Sequence, residues 1–181
     1  MARKFHEASL RKGRFSESGS FYAVTKCILN REKLLISNPS SPVDSSNISD
    51  IVVSSLKYLH EKETIDCWGY VVMPDHLHMI LRLSGSQSIS EVLSSFSKHT
   101  ARKINKVLGR SGRLWEKGFY ERKIRSEDEL SNQLGYIRDN PVRKGYVEAP
   151  RDWPCCEMYP DWYPLSSLPE GSCNPGEMES L

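Results

Sequence analysis

The chain has 181 residues, 38% of them hydrophobic, and a net charge of +2, which suits one domain with a proper core and is too short for two. Five cysteines, odd in number and in no zinc-type spacing, exclude a disulfide scaffold or zinc ribbon and lead us to expect reduced thiols. No apolar run approaches the ~20 residues that span a bilayer, and the charged N-terminus lacks the apolar segment of a signal peptide, so a cytoplasmic protein without membrane contact is expected.

Residues 1–15 carry Arg3, Lys4, Arg11, Lys12 and Arg14 among few apolar anchors and read as a basic arm. Ser20–Ile28, aromatic and β-branched, reads as a strand, and Asn38–Ser49, rich in Ser, Pro and Asn, as a loop. From Asp50, the spacing of Ile51, Val52, Leu56 and Leu59 predicts a helix to about Glu63. Thr64–Met73 is a second strand, and Pro74-Asp75 turns it into a third that begins at His76. Alternation along the third strand puts Leu77, Met79, Leu81 and Leu83 on the core face, and His76, His78, Ile80 and Arg82 on the other. The two imidazoles stand side by side with Cα atoms roughly 6.5 Å apart, within reach of one divalent cation. The same spacing also describes two histidines decorating a solvated strand.

Ser88-Ile89-Ser90-Glu91 has the form of a capping box, followed by a helix with Ile89, Val92, Leu93, Phe96, Ile104, Val107 and Leu108 as its apolar face. Lys98, Arg102, Lys106 and Arg110 recur every four residues along one side of it. From Lys98 to Arg125, those four with Lys103, Arg113, Lys117, Arg122, Lys123 and Arg125 face only Glu116 and Glu121. Like charges at helical spacing repel unless an anion neutralises them, so a polyanion site competes with a plain solvated face. Leu114–Ile124 reads as a strand or hairpin, with Trp115 and Phe119 in the core. Ser126-Glu127-Asp128-Glu129 is a second capping box, opening a helix buried through Leu130, Leu134 and Ile137. At about 100° per residue, Tyr136 lies roughly 120° from that stripe, and Asn140 about 40° from Tyr136, before Pro141 ends the helix. From Val147 the chain is rich in Pro, Ser and acids, with Trp153, Tyr159, Trp162 and Tyr163 as pins onto the domain.

Two phrases give this order of elements a family likeness. Met73-Pro74-Asp75-His76-Leu77-His78 resembles the His-hydrophobe-His signature of insertion-sequence-200-type single-tyrosine transposases, in particular the REP-associated branch. Tyr136-Ile137-Arg138-Asp139-Asn140-Pro141-Val142-Arg143-Lys144-Gly145 resembles the phrase that carries that family's nucleophile. The Leu114–Arg125 run is similar to the family's Leu-Trp-x-x-x-Phe-Tyr-x-x-x-Ile-Arg segment, and the likeness extends over about Ser20–Val147. Tyr146 departs from it, standing where an aliphatic residue commonly follows the glycine.

The resemblance implies an α+β fold, a central antiparallel β-sheet with helices packed on one face, related to ferredoxin-like domains. Composition adds to that fold a domain plan of a basic arm (1–15), a catalytic domain (16–150) and an acidic Pro/Ser-rich tail (151–181), the tail having no counterpart in the family's phrases. The resemblance also implies cleavage and rejoining of hairpin DNA through a 5′-phosphotyrosine at Tyr136, with Mg²⁺ or Mn²⁺ as cofactor, in a monomer or homodimer acting near the nucleoid. His76 and His78 then hold the metal. Asn140 is the candidate third ligand, at i+4 from Tyr136, and Asp75 the alternative. The candidate DNA-binding residues are Arg3, Lys4, Arg11, Lys12, Arg14, Lys98, Arg102, Lys106, Arg110 and Arg113. Two other readings share these features: a domesticated hairpin-binding protein that no longer cuts, and a replication or mobilisation initiator.

Overall fold

The computed structural model describes residues 17–36 and 48–158. The basic arm, most of the expected Asn38–Ser49 loop and residues 159–181 fall outside them. The elements run β1 (Phe21–Cys27), α1 (Ile48–Glu61), β2 (Ile65–Met73), β3 (His76–Leu83), α2 (Ile89–Val107), β4 (Tyr120–Ile124), α3 (Glu127–Arg138), α4 (Asn140–Arg143) and β5 (Cys156–Met158). The sheet order is β4-β1-β3-β2-β5, with every pair antiparallel. Since β1 and β2 both run against β3, they are parallel to each other, which the α1 crossover between them requires. The first six elements thus form a β-α-β-β-α-β unit of the ferredoxin-like kind.

Register fixes which residues share a face. Tyr22, Val24 and Lys26 oppose Leu81, Met79 and Leu77, while Ala23, Thr25 and Cys27 oppose Ile80, His78 and His76. The leucine face packs against α1 and α2, which contribute Val52, Leu56, Val92, Phe96 and Ile104 to the core. Both helices begin close to where periodicity puts them, and the Ser88–Glu91 capping box is formed in both directions. Val107 and Leu108, expected in the apolar face, are exposed because the helix ends there.

The histidine face is covered as well, so the helices do not lie on one face alone. Leu130, Leu134 and Ile137 of α3 are buried against it. The close approach is at Gly69, beside the bulge at Trp68: a Cβ there would come within 2.7 Å of Leu134 Cδ2 and 3.0 Å of Met158 Sδ. A residue without a side chain lets α3 settle onto the strands that carry the histidines.

Ser126 caps α3 by accepting from the Glu129 amide, but the Glu129 carboxylate reaches back to the amide of Arg125 rather than of Ser126. The helix ends sooner than expected. Asp139 is its C-cap, and Asn140–Arg143 forms a separate turn, because Pro141 has no N–H with which to continue the ladder. That turn closes in a Schellman motif: Tyr146 N donates to Pro141 O, Gly145 N donates to Val142 O, and Gly145 adopts φ +70°. Residues 151–158, read as the start of the tail, return to the domain. Trp153 is buried with Nε1 donating to Val72 O at 2.9 Å, and β5 pairs with β2.

Candidate active site

His76 and His78 stand two apart at the open end of β3, with their Nε2 atoms 3.0 Å apart and their rings nearly perpendicular. Each ring is held from behind. Asp75 Oδ1 lies 2.6 Å from His76 Nδ1, and Thr25 Oγ1, opposite His78 in the β1–β3 register, lies 2.8 Å from His78 Nδ1. Asp75, the alternative third ligand, instead meets the outer nitrogen of His76. It belongs to the turn rather than the strand, so its carboxylate curls to the back of the ring, where Arg31 Nε grips the other oxygen at 2.8 Å. Arg31 sits at φ +59° after Asn30 at +56°, a left-handed kink that nothing in composition announces.

Asn140 completes the cluster. Its side chain is buried, Nδ2 lies 3.3 Å from His78 Nε2, and Oδ1 is buried without a hydrogen-bond partner. It arrives there from α4 and not from the helix that bears Tyr136. With Asp75 accepting from Nδ1–H of His76 and Thr25 accepting from Nδ1–H of His78, both Nε2 atoms would face the cluster as acceptors. In that tautomer pair the two Nε2 lone pairs share one space, an arrangement that a cation between them would stabilise.

Burial pushes His78 down to about 3, helped by His76 beside it, and burial also lowers His76 against the opposing pull of Asp75. Two neutral imidazoles, each oriented through its far nitrogen, with an orphaned amide oxygen beside them, fit a divalent metal. Among the described residues no three His, Cys, Asp or Glu side chains converge on a metal, and the further oxygen nearest the two imidazoles' free space is that of the Asn140 carboxamide.

Tyr136 projects from α3 next to this cluster. Its ring centroid is 6.1 Å from that of His78, and the side chain is 43% exposed. Arg143 Cζ lies 5.0 Å from the Tyr136 centroid, a cation over the ring. Tyr136, His78 and Thr25 also line one side of a cleft of about 200 Å³ against β4. Arg31 and Lys144 bring positive charge close enough to oppose protonation of both histidines. Arg31, Arg143 and Lys144 were not singled out from sequence, although the last two sit in the phrase that contains Asn140.

The other candidates are distributed differently. Lys98, Arg102 and Lys106 are exposed on α2, on the far side of the sheet from the histidines. Arg110 lies beyond the helix, not on its stripe, and pairs with Glu32 at 3.1 Å, while Arg113 is exposed in the following turn. Arg3, Lys4, Arg11, Lys12 and Arg14 are outside the described residues.

A ferredoxin-like sheet carrying paired histidines opposite a tyrosine-bearing helix is the arrangement that the resemblance to single-tyrosine transposases implies. A family model described as transposase, IS200-like, matches residues 34–140, more than half of the chain, and the protein belongs to that family. A Haemophilus influenzae relative, provisionally named a REP-associated tyrosine transposase, is 29% identical over 128 residues, or 60% of this chain and 73% of the relative. An Escherichia coli K12 protein named REP-associated tyrosine transposase is 29% identical over 97 residues, covering 54% of this chain and 55% of its own length. The fold matches a solved REP-associated tyrosine transposase bound to a REP hairpin, with a TM-score of 0.62 at 20% identity over 90% of this chain and 93% of that one. No helix among the described residues is long and apolar enough to cross a membrane.

Proposed function

We propose that the protein is a metal-dependent single-strand DNA transposase and endonuclease that binds hairpin DNA of the REP kind and cleaves and rejoins it through a 5′-phosphotyrosine. The observation that carries this reading is the position of Tyr136 within one chain, its ring 6.1 Å from a histidine whose Nε2 faces that of its neighbour.

A phenol with a pKa of about 10 is a weak nucleophile at neutral pH and needs local positive charge. Arg143 over the ring supplies some of it. In the proposed step Tyr136 Oη attacks a backbone phosphorus, the new O–P bond replaces the bond to the 3′-oxygen, the phenolic proton leaves to solvent and the 3′-oxygen departs as a hydroxyl. One phosphodiester is exchanged for another, so the free 3′-hydroxyl can reverse the step and rejoin strands without nucleotide hydrolysis.

His76, His78 and Asn140 are the residues that hold the ion. Bound there, it supplies Lewis-acid charge that draws electron density from the phosphate under attack. Mg²⁺ or Mn²⁺ is the ion the family resemblance implies, and imidazole donors on their own suit manganese better than magnesium. Arg31, Arg143 and Lys144 would meet phosphates beside the attacked one, and the arm and α2 cations would grip the hairpin further away.

Incubating Tyr136→Phe with a labelled hairpin oligonucleotide and Mn²⁺ tests the reading. We expect the covalent protein–DNA adduct to disappear while hairpin affinity stays within about twofold of the parent. Persistence of the adduct would reject Tyr136 as the nucleophile.

A further inference from the structure

The cleft beside Tyr136 has a second wall that the transfer chemistry does not use. Its floor is Ala23, Thr25 and His78, α3 contributes Gln133 and Tyr136, and β4 contributes Tyr120. Tyr120 is 68% exposed, more than any other large apolar or aromatic side chain among the described residues. It opposes Thr25 in the β1–β4 register, so it rises from the same face as the histidines, two strands over with β1 between. A large aromatic ring left in water at the mouth of a reactive cleft forgoes the burial that would ordinarily draw it inward.

The dimensions and chemistry select one kind of occupant. A cavity of about 150 Å³ admits benzene, so about 200 Å³, open on one side, takes a single planar heterocycle and not a whole nucleotide. Tyr120 offers a π face, and Gln133, one helical turn before Tyr136, offers a carboxamide able to donate and accept along a base edge. Arg122, on the same strand, is held by Glu129 at 2.5 Å and serves as a fixed side of the cleft rather than as a free cation. Because Tyr136 and His78 line this same space, whatever enters it is adjacent to the phosphate under attack.

We infer that this cleft is a pocket for one unpaired nucleobase flanking the cleaved phosphodiester, stacked on Tyr120 and read at its edge by Gln133. The inference rests on the reading of Tyr136 and the histidines as a DNA-cleaving centre. It adds a source of sequence choice separate from the grip on the hairpin: a base that cannot be unstacked from its neighbours cannot enter, so duplex is refused at this point and single strand accepted. Tyr120 and Gln133 are positioning residues, since neither touches the reacting atoms.

The test uses the full-length chain with Tyr136→Phe as background, so that cleavage is not needed for the readout. 2-Aminopurine, whose fluorescence is quenched by stacking, is moved one nucleotide at a time through the single-stranded flank of a hairpin oligonucleotide. The expected result is one position whose fluorescence falls on binding, with the fall abolished by Tyr120→Ala and retained by Tyr120→Phe. In the otherwise native chain, Tyr120→Ala weakens binding of the flanked oligonucleotide, and its cleavage at sub-saturating DNA, about 10-fold, in line with the loss of one base–aromatic stack, while affinity for the hairpin without its flank is unchanged. An abasic site at the same position removes that difference between the two proteins. Quenching that is equal in the Tyr120→Ala protein, or absent at every position, overturns the pocket. If the pocket is real but Tyr136 is not the nucleophile, Tyr120-dependent quenching survives while adduct formation persists in Tyr136→Phe, so the two failures are distinguishable.

Discussion

Thr25 and Asp75 touch neither the nucleophile nor a phosphate, yet they decide which nitrogen of each imidazole faces the cluster. Removing either frees a ring to rotate and to move its proton to the inward nitrogen. Outer partners of this kind typically govern metal affinity by 10–100-fold. We therefore expect Thr25→Val, which keeps the side-chain volume and deletes the hydroxyl bonded to His78, to weaken Mn²⁺ binding at least 10-fold by calorimetry. Hairpin affinity in metal-free buffer should stay unchanged. Equal Mn²⁺ affinity in the two proteins would remove Thr25 from the site. The neutral state of both rings is part of the same logic: histidines already uncharged at pH 7 need lose no proton to bind a metal.

Among the elements, α3 is the part whose placement matters most, and Gly69 is what seats it. Valine there puts branched carbons where Leu134 and Met158 already lie. Both neighbours present the ends of flexible side chains, which must turn aside and so loosen the seat of Leu134 and its helix. Overpacking of this kind costs about 1–3 kcal/mol. We expect Gly69→Val to lower the melting temperature by several degrees and cut adduct formation by a larger factor than hairpin binding. A parallel loss of both would mean that the helix does not set the tyrosine.

These elements also mark the limit of what pattern can convey. The strand of the two histidines, the capped start of α2 and the buried stripe of α3 all follow from alternation and capping chemistry, because each is settled within a few residues. The end of α3 depends on Pro141 and on the Schellman turn at Gly145, which together move Asn140 onto a separate turn that still reaches His78. Helical spacing brought it to the right neighbourhood by the wrong path. The short β5 and the reach of Arg31 to Asp75 depend on long-range partners, and no local periodicity encodes them.

At the scale of the molecule, positive charge lies on two sides of one sheet. Arg31, Arg143 and Lys144 gather around the histidines, and Lys98, Arg102 and Lys106 line the outer side of α2. A hairpin touching both would have to pass around an edge of the domain. If it does, replacing the three α2 cations by glutamine should reduce the slope of log affinity against log salt by about 2–3, near one per lost phosphate contact. An unchanged slope would confine the DNA to the histidine side.

Tyr136 and its imidazole neighbours belong to one polypeptide, brought together by a helix that folds back over its own sheet. With both halves of the proposed site in one chain, each copy is expected to cut and rejoin strands without borrowing from a neighbour. A preparation lacking only the phenol cannot be rescued by one lacking only the rings. Blending Tyr136→Phe with His78→Ala protein should leave the mixture as silent as either ingredient, whereas revived strand joining would reveal that neighbouring copies lend each other the missing half.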